Sequence, residues 1–474
     1  MTKPHFTMSQ HSSPAALSDG GLHDYVECQV AAGHCPGLSI AIWHQNRLYA
    51  SASGLANAGV GARVSLDTLF QIGSITKAFT SSLIMLMVEA GSLDLDVPVK
   101  HYLPDFHVAD SDAVANITMR HLLSHTSGLE SDIYVDDRWE QGNPIARYVD
   151  RCFLLPQVHK DFGRRFSYSN AAYVIAGRLI ETLSGMPWAR AIEELIFEPL
   201  CMTHSISSPL QALRHNVATG HMFSYGEKSG WSTAPHAYVP QGMAPAGSVL
   251  SMPATELVKF GRAHLEGGRS ETGKQWLSEQ SVATMQKLQV RLPVCGSLFE
   301  NGWGLGWGLS ELGGIRCFGH SGGRIGYQAL LAMVPGNNTI IAVESNGMLL
   351  GGGALLRKVF VDLLGQTTGT EIDTTKPREE ARDLESFSGL YGGPGFRFHI
   401  ENTGAQLSVA FVIEGLSTEK ANFILKPTTN GDFTVYSQTG QYWGCEAVFL
   451  ERDRSGIPKY FFFAGRLNAR IGAA

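Results

Sequence analysis

Helix-like and strand-like patterns are segregated along this chain, and that segregation limits the folds open to it. Apolar runs at 38–43 and 48–52 flank His44-Gln45-Asn46-Arg47, the pattern of a β-hairpin. Strand character returns only at 316–346, where runs at 327–334 and 339–344 flank the turn Pro335-Gly336-Asn337-Asn338 and a helix-like run at 354–364 follows. From Ser74 to about Gly267, helical patterns and glycine-rich loops dominate. Strands at both ends with helices between predict an α+β domain: one antiparallel sheet built from the two ends, flanked by helices, with a helical lobe inserted in the middle.

Residues 366–383 are rich in Thr, Glu, Lys and Arg, with almost no apolar side chain, and read as a linker. Beyond it, β-prone runs at 396–400, 407–413, 423–425, 433–436, 447–450 and 460–464 are spaced by turn residues, which predicts an all-β barrel or sandwich over 384–474. Residues 1–21, rich in Ser, His and Pro, lack the basic-then-apolar order of a signal peptide and read as a disordered tail before a domain at 22–365. A chain of 474 residues, 44% hydrophobic, has material for two such cores.

A net charge of −6 leaves no footprint for nucleic acid or a membrane surface. No apolar run approaches the length of a transmembrane helix. The seven cysteines (Cys28, Cys35, Cys152, Cys201, Cys295, Cys317 and Cys445) are scattered, odd in number and never spaced Cys-x-x-Cys. Reduced thiols in a cytoplasmic enzyme are therefore expected, with a small molecule or peptide as partner.

The chemistry concentrates after Phe70, where Gln-Ile-Gly-Ser-Ile-Thr-Lys leads into a strongly apolar helical run closed by Gly91. Ser74 and Lys77 stand at positions i and i+3 of a helix start, on one face, so the amine reaches the hydroxyl. Burial disfavours the charged form of a lysine, which suits it to accept a proton. A second Ser-x-x-Lys, Ser417 to Lys420, falls in a polar stretch and reads as coincidence. Two further motifs follow: Tyr168-Ser169-Asn170 immediately before an amphipathic helix, with Asn170 suited to capping it, and His320-Ser321-Gly322 at a β-hairpin.

In the order Ser-x-x-Lys, Tyr-x-Asn, His-x-Gly, the chain resembles the serine β-lactamase and penicillin-recognising family, most closely its class C-like branch of D-aminopeptidases, esterases and related hydrolases. Accessory stretches at 117–129, 245–260 and Trp303-Gly-Leu-Gly-Trp-Gly strengthen the likeness, which spans 22–365. The segment from Leu384, with Phe387-Ser-Gly-Leu-Tyr391, is similar to the lipocalin-like barrel of some members, where it covers the cleft or sets the oligomeric state.

The resemblance implies Ser74 as the acylated nucleophile, Lys77 as its proton partner and Tyr168 as a second acid/base. It further implies Asn170 as a ligand of the substrate's acyl-side amide, His320 on the opposite edge of the cleft, and an oxyanion hole made by the N–H groups of Ser74 and Gly323. No metal or organic cofactor is implied. A lysine at the third motif would help hold a substrate carboxylate. His320, neutral or partly charged near pH 7, turns the expectation from penicillins toward peptides, amides and esters, and the likeness to the D-aminopeptidase branch implies D-configured peptides and amides among them.

Three rival readings are weaker. Gly319-His-Ser-Gly-Gly323 matches a hydrolase nucleophile elbow, but a strand and not a helix follows it. His121 and His125 have zinc-binding spacing without the glutamate of a metalloprotease helix. A non-catalytic sensor of the same fold would be expected to lose the serine, lysine or tyrosine first.

Overall fold

The computed structural model describes residues 17–131, 141–224, 230–235, 240–293, 299, 301–347, 353–369, 384–393, 396–413, 421–428, 431–438, 440 and 442–473. The first hairpin pairs Gly37–His44 with Arg47–Asn57 across a two-residue turn in which Gln45 and Asn46 both have positive φ, 49° and 61°. A turn of that hand matches the twist of its strands. The second hairpin pairs Tyr327–Val334 with Thr339–Ser345. The two join where Leu38 lies opposite Ser345, so the ends of the domain close one sheet.

That sheet has eight antiparallel strands, in the order Ala62–Arg63, Arg47–Asn57, Gly37–His44, Thr339–Ser345, Tyr327–Val334, Ile315–Arg324, Gly308–Leu312 and Gly302–Trp303. Side chains alternate between its faces. Leu38, Ile40, Ile42, Ile341 and Val343 pack under the terminal helices Asp19–Ala31 and Gly353–Thr368. Ala41, Leu331, Met333, Ile340 and Ala342 face the helical lobe. Helix Thr76–Glu89 lies within that lobe and is buried nearly all round, as expected of a helix with no polar face.

The C-terminal unit is a closed barrel of eight sequential strands, sealed where Tyr391 of the first pairs with Arg470 of the last. Its interior is filled by rings, among them Phe398, Phe423, Phe433, Phe461 and Phe463. The outer face of strand Pro458–Phe463 belongs to the neighbouring domain: Phe462, Val448 and Leu467 form one apolar cluster with Phe166, Val290 and Trp303. Among the described residues no helix is long and apolar enough to cross a membrane.

Several boundaries differ from expectation. The first helix begins at Asp19, capped by the Ser18 side chain, so 19–21 are not a disordered tail. The last helix of the first domain continues to Thr368, because Leu363 and Leu364 are fully buried and the Thr367 and Thr368 hydroxyls both donate to the Leu364 carbonyl, at 2.8 and 2.9 Å. Residues 366–368 are therefore helix and not linker, and 370–383 lie outside the described residues. So does the coincidental pair Ser417 and Lys420. The barrel's eighth strand, Arg466–Gly472, has no counterpart among the expected β-prone runs.

Candidate active site

Ser74 sits in a tight 3-10 turn, Gly73–Ile75, that leads directly into helix Thr76–Glu89, so Lys77 falls one turn on in the first α-helical turn. Two glycines make that turn possible. Gly73 has φ +54°, and a Cβ there would stand 2.8 Å from the Gly323 amide nitrogen; a Cβ on Gly322 would meet the Ile72 carbonyl oxygen at 1.9 Å. The chain around Ser74 is thus pressed against strand Ile315–Arg324.

Lys77 is wholly buried beneath Ser74. Its Nζ donates to Ser74 Oγ at 3.1 Å and to the Ala246 carbonyl at 2.6 Å. The same nitrogen lies 4.8 Å from the centre of the Tyr168 ring. A serine hydroxyl, a buried amine and a phenol therefore meet in one place, which is the equipment for moving a proton off the hydroxyl as it attacks a carbonyl.

Tyr168 is held by its backbone. Three successive amides are engaged: Ser167 N–H donates to the His125 carbonyl at 2.9 Å, Tyr168 N–H to the Gly465 carbonyl at 2.9 Å, and Ser169 N–H to His125 Nδ1 at 3.1 Å. The outer two anchors come from the catalytic domain and the middle one from the barrel. The His125 ring also stacks obliquely on Tyr168 at 4.2 Å between centroids. Burial, then the nearby Lys77 charge, pushes His125 well below its ordinary value, so it stays a neutral acceptor. This residue shared a reading with His121 as a zinc pair; instead His121 Nδ1 accepts from Thr118 N–H at 3.3 Å in a capping box.

Ser169, not Asn170, caps helix Asn170–Ser184, its Oγ accepting from Ala172 N–H at 3.2 Å. A serine reaches back to the first turn more compactly, and Asn170 is left at the first helical position on the cavity wall. His320 donates from Nδ1 to the Ser321 carbonyl at 2.5 Å, and its buried Nε2 has no hydrogen-bond partner among the described residues. Burial first, and Lys77 second, lowers its pKa to about 3, so the third motif carries no charge at neutral pH.

Ser74, Tyr168, Asn170, His320 and Gly323 all line one cavity of about 360 Å³; of the expected site residues, only Lys77 lies below its floor. Ser321 borders it too, on a strand that turns into a second strand at Tyr327. Phe166, Leu292 and Trp303 give it an apolar side. The barrel supplies Cys445 and the turn Ala464-Gly465-Arg466. Arg466 is the residue that sequence reasoning missed: its guanidinium lies 5.5 Å from the Tyr168 ring centre and its Nε donates to Ser131 Oγ at 3.1 Å. A cation absent from the third motif is therefore supplied to the cavity lining by the barrel.

The beta-lactamase family profile matches residues 22–366, most of the chain. The chain belongs to the beta-lactamase family. Penicillin-binding protein 4 of Amycolatopsis lactamdurans is 34% identical over 366 residues, which cover 76% of this chain and 94% of that protein. The crystal structure of SurE superposes with a TM-score of 0.73 at 26% identity, covering 96% of this chain and 99% of SurE. D-amino acid amidase from Ochrobactrum anthropi SV3, complexed with D-phenylalanine, gives a TM-score of 0.61 at 23% identity over 73% of this chain and 98% of its own. The amidase match thus covers less of this family member than the SurE match does.

Proposed function

We propose that this chain is a serine hydrolase that cleaves amide bonds through an ester on Ser74, preferring acyl donors with a D-configured residue. The observation that carries the reading is the buried Lys77 Nζ, 3.1 Å from Ser74 Oγ and 4.8 Å from the Tyr168 ring centre. Ser74 Oγ attacks the carbonyl carbon, and its proton passes into the Lys77 and Tyr168 pair. The Ser74 and Gly323 N–H groups hold the charge that develops on the carbonyl oxygen. Tyr168 protonates the leaving nitrogen as the C–N bond breaks and the ester forms, and an incoming water then releases the acid by the reverse path. Asn170 holds the acyl-side amide, and His320, neutral, closes the opposite edge.

Support for the D-configuration comes from chains that share the fold: the Ochrobactrum enzyme is a D-amino acid amidase, solved with D-phenylalanine and also with L-phenylalanine and its amide, and SurE was solved with D-Leu. An amine leaves poorly unless protonated, whereas nitrophenolate leaves readily. Tyr168→Phe is therefore expected to depress turnover of a D-aminoacyl amide by about a hundredfold or more and that of a nitrophenyl ester by less than about tenfold. Equal losses would remove Tyr168 from the acid role. A clear preference for L-configured amides would overturn the substrate class. Intact-mass analysis after fluorophosphonate treatment should place one adduct on Ser74, and an adduct on Ser321 that survives Ser74→Ala would reverse the assignment of the nucleophile.

A further inference from the structure

A second concavity, of about 460 Å³, opens beside the catalytic cavity along the seam between the domains. Phe166 and Leu292 border both, so the two are neighbours. Its charged lining is Arg164, Arg165 and Arg291 against the single acid Asp161. On a chain of net charge −6, a groove with that excess of cations is a local reversal of sign.

The acids nearby are already committed. Arg165 bonds Asp161 at 2.7 Å and also pairs with Glu451 of the barrel, while Glu451 takes a second cation, Lys459, at 3.7 Å. Arg164 and Arg291 are exposed and have no acidic partner among the described residues. Two such guanidinium groups in one concavity repel each other unless an anion sits between them. Their planar forks match the oxygens of a carboxylate or a phosphate. Phe166 and Leu292 offer an apolar saddle over which a neutral stretch of substrate would pass from Ser74 to the arginines.

We infer that this groove is a distal subsite for an anionic group, a carboxylate or phosphate ester carried by the substrate away from the bond that is cleaved. The inference rests on the proposed amide-cleaving reaction at Ser74 and narrows its substrate to an extended, acidic molecule. Electrostatic capture there also raises the rate of encounter, an effect that salt screens.

The test uses the full chain and a matched set of peptide amides, identical around the scissile bond, whose remote residue is Gln, Glu or phosphoserine, with a short amide that lacks the remote part. Glu or phosphoserine should raise kcat/KM over Gln by about fivefold to tenfold at low salt, with the gain shrinking as salt is added. A larger gain for phosphoserine identifies phosphate as the natural group; a gain for Glu as large or larger identifies a carboxylate. The double variant Arg164→Gln with Arg291→Gln should erase the difference and leave the short amide within about twofold of the original rate. Ratios near one for both Glu and phosphoserine over Gln, or a gain that survives the double variant, overturn the subsite. If the short amide is not cleaved, the proposed reaction fails on its own. Calorimetric binding of the Gln, Glu and phosphoserine peptides to the Ser74→Ala protein then decides the subsite, which equal affinities of all three overturn.

Discussion

On one side of the catalytic cavity, Ser74 and Lys77 are fixed wholly within the first domain, by a glycine-lined turn, a buried helix and the Ala246 carbonyl. On the other side, Tyr168 hangs from both domains, its own amide bonded to Gly465 at the tip of a barrel hairpin. The proposed reacting pair therefore depends on local structure and one core. The group assigned to leaving-amine protonation depends on docking. In the proposed reaction the nucleophile is thus held by one domain while the barrel contributes to the placement of Tyr168 and to the cavity rim, since Arg466 arrives on the same turn.

Removing the barrel is the largest perturbation of that contrast. A chain ending near residue 370 keeps the contact between Lys77 and Ser74 and loses the acceptor for Tyr168 N–H, together with Val448, Phe462 and Leu467 from the shared apolar cluster. Fluorophosphonate labelling of Ser74 should persist. Amide turnover should drop by about a hundredfold, the scale of loss that accompanies a misplaced catalytic group, and ester turnover should fall much less. Equal loss of labelling, ester and amide activity would show that the two walls are not separable.

A smaller perturbation acts on Tyr168 from inside the first domain. His125→Ala removes the acceptor for Ser169 N–H and leaves space against Phe166 and Trp303, so a stability loss of about 2–4 kcal/mol is expected. Amide turnover should fall by about tenfold, again with the ester less affected. His125 has φ +58°, which an asparagine tolerates well. His125→Asn should therefore recover part of the stability, measured by denaturant midpoint, and separate backbone strain from the lost ring. An alanine variant as stable and active as the original would mean that the barrel alone positions Tyr168.

What could be read in the sequence follows the same division. Apolar runs on either side of turn residues mark both hairpins of the sheet, and the spacing of Ser74 and Lys77 on one helix face is a local fact. The last barrel strand was hidden because its pattern misleads. In Arg466–Gly472, Leu467 and Asn468 are both buried while Ile471 is 55% exposed. Asn468 is tolerated inside because its Nδ2 donates to the Phe461 and Arg466 carbonyls at 3.0 and 3.2 Å. The turn before it uses Ala464 and Gly465 at φ +49° and +78°, and alanine is no turn signature. The bond from Tyr168 to Gly465 joins residues far apart in the chain, and no local periodicity encodes such a pairing. His125 was legible only as a spacing, with its φ and its stacking set by the tertiary fold.

The smallest effect on turnover is expected at Glu344, and its signature is the pH dependence of stability. Glu344 lies mid-sheet in strand Thr339–Ser345, opposite Ser39 and Ala329, and is fully buried. Neither carboxyl oxygen has a hydrogen-bond partner among the described residues, and burial raises its pKa well above the ordinary carboxylate value. The buried histidines behave oppositely: burial lowers His264 and His320 to about 3. Between about pH 3 and 6.5 the unfolded chain binds protons at these histidines that the folded chain refuses, so their contribution to stability rises with pH. Above about pH 4.5 the unfolded chain releases the Glu344 proton that the folded chain retains, so its contribution falls as pH rises through the raised value. Glu344→Gln abolishes the second slope, which amounts to at most about 1.4 kcal/mol per pH unit. The variant should gain thermal stability relative to the original more at pH 8 than at pH 5, with kcat/KM within about twofold at both. A shift in Tm of equal size at the two values would mean that Glu344 is ionised in the folded protein, and a large loss of turnover would extend the nucleophile's supports across the sheet.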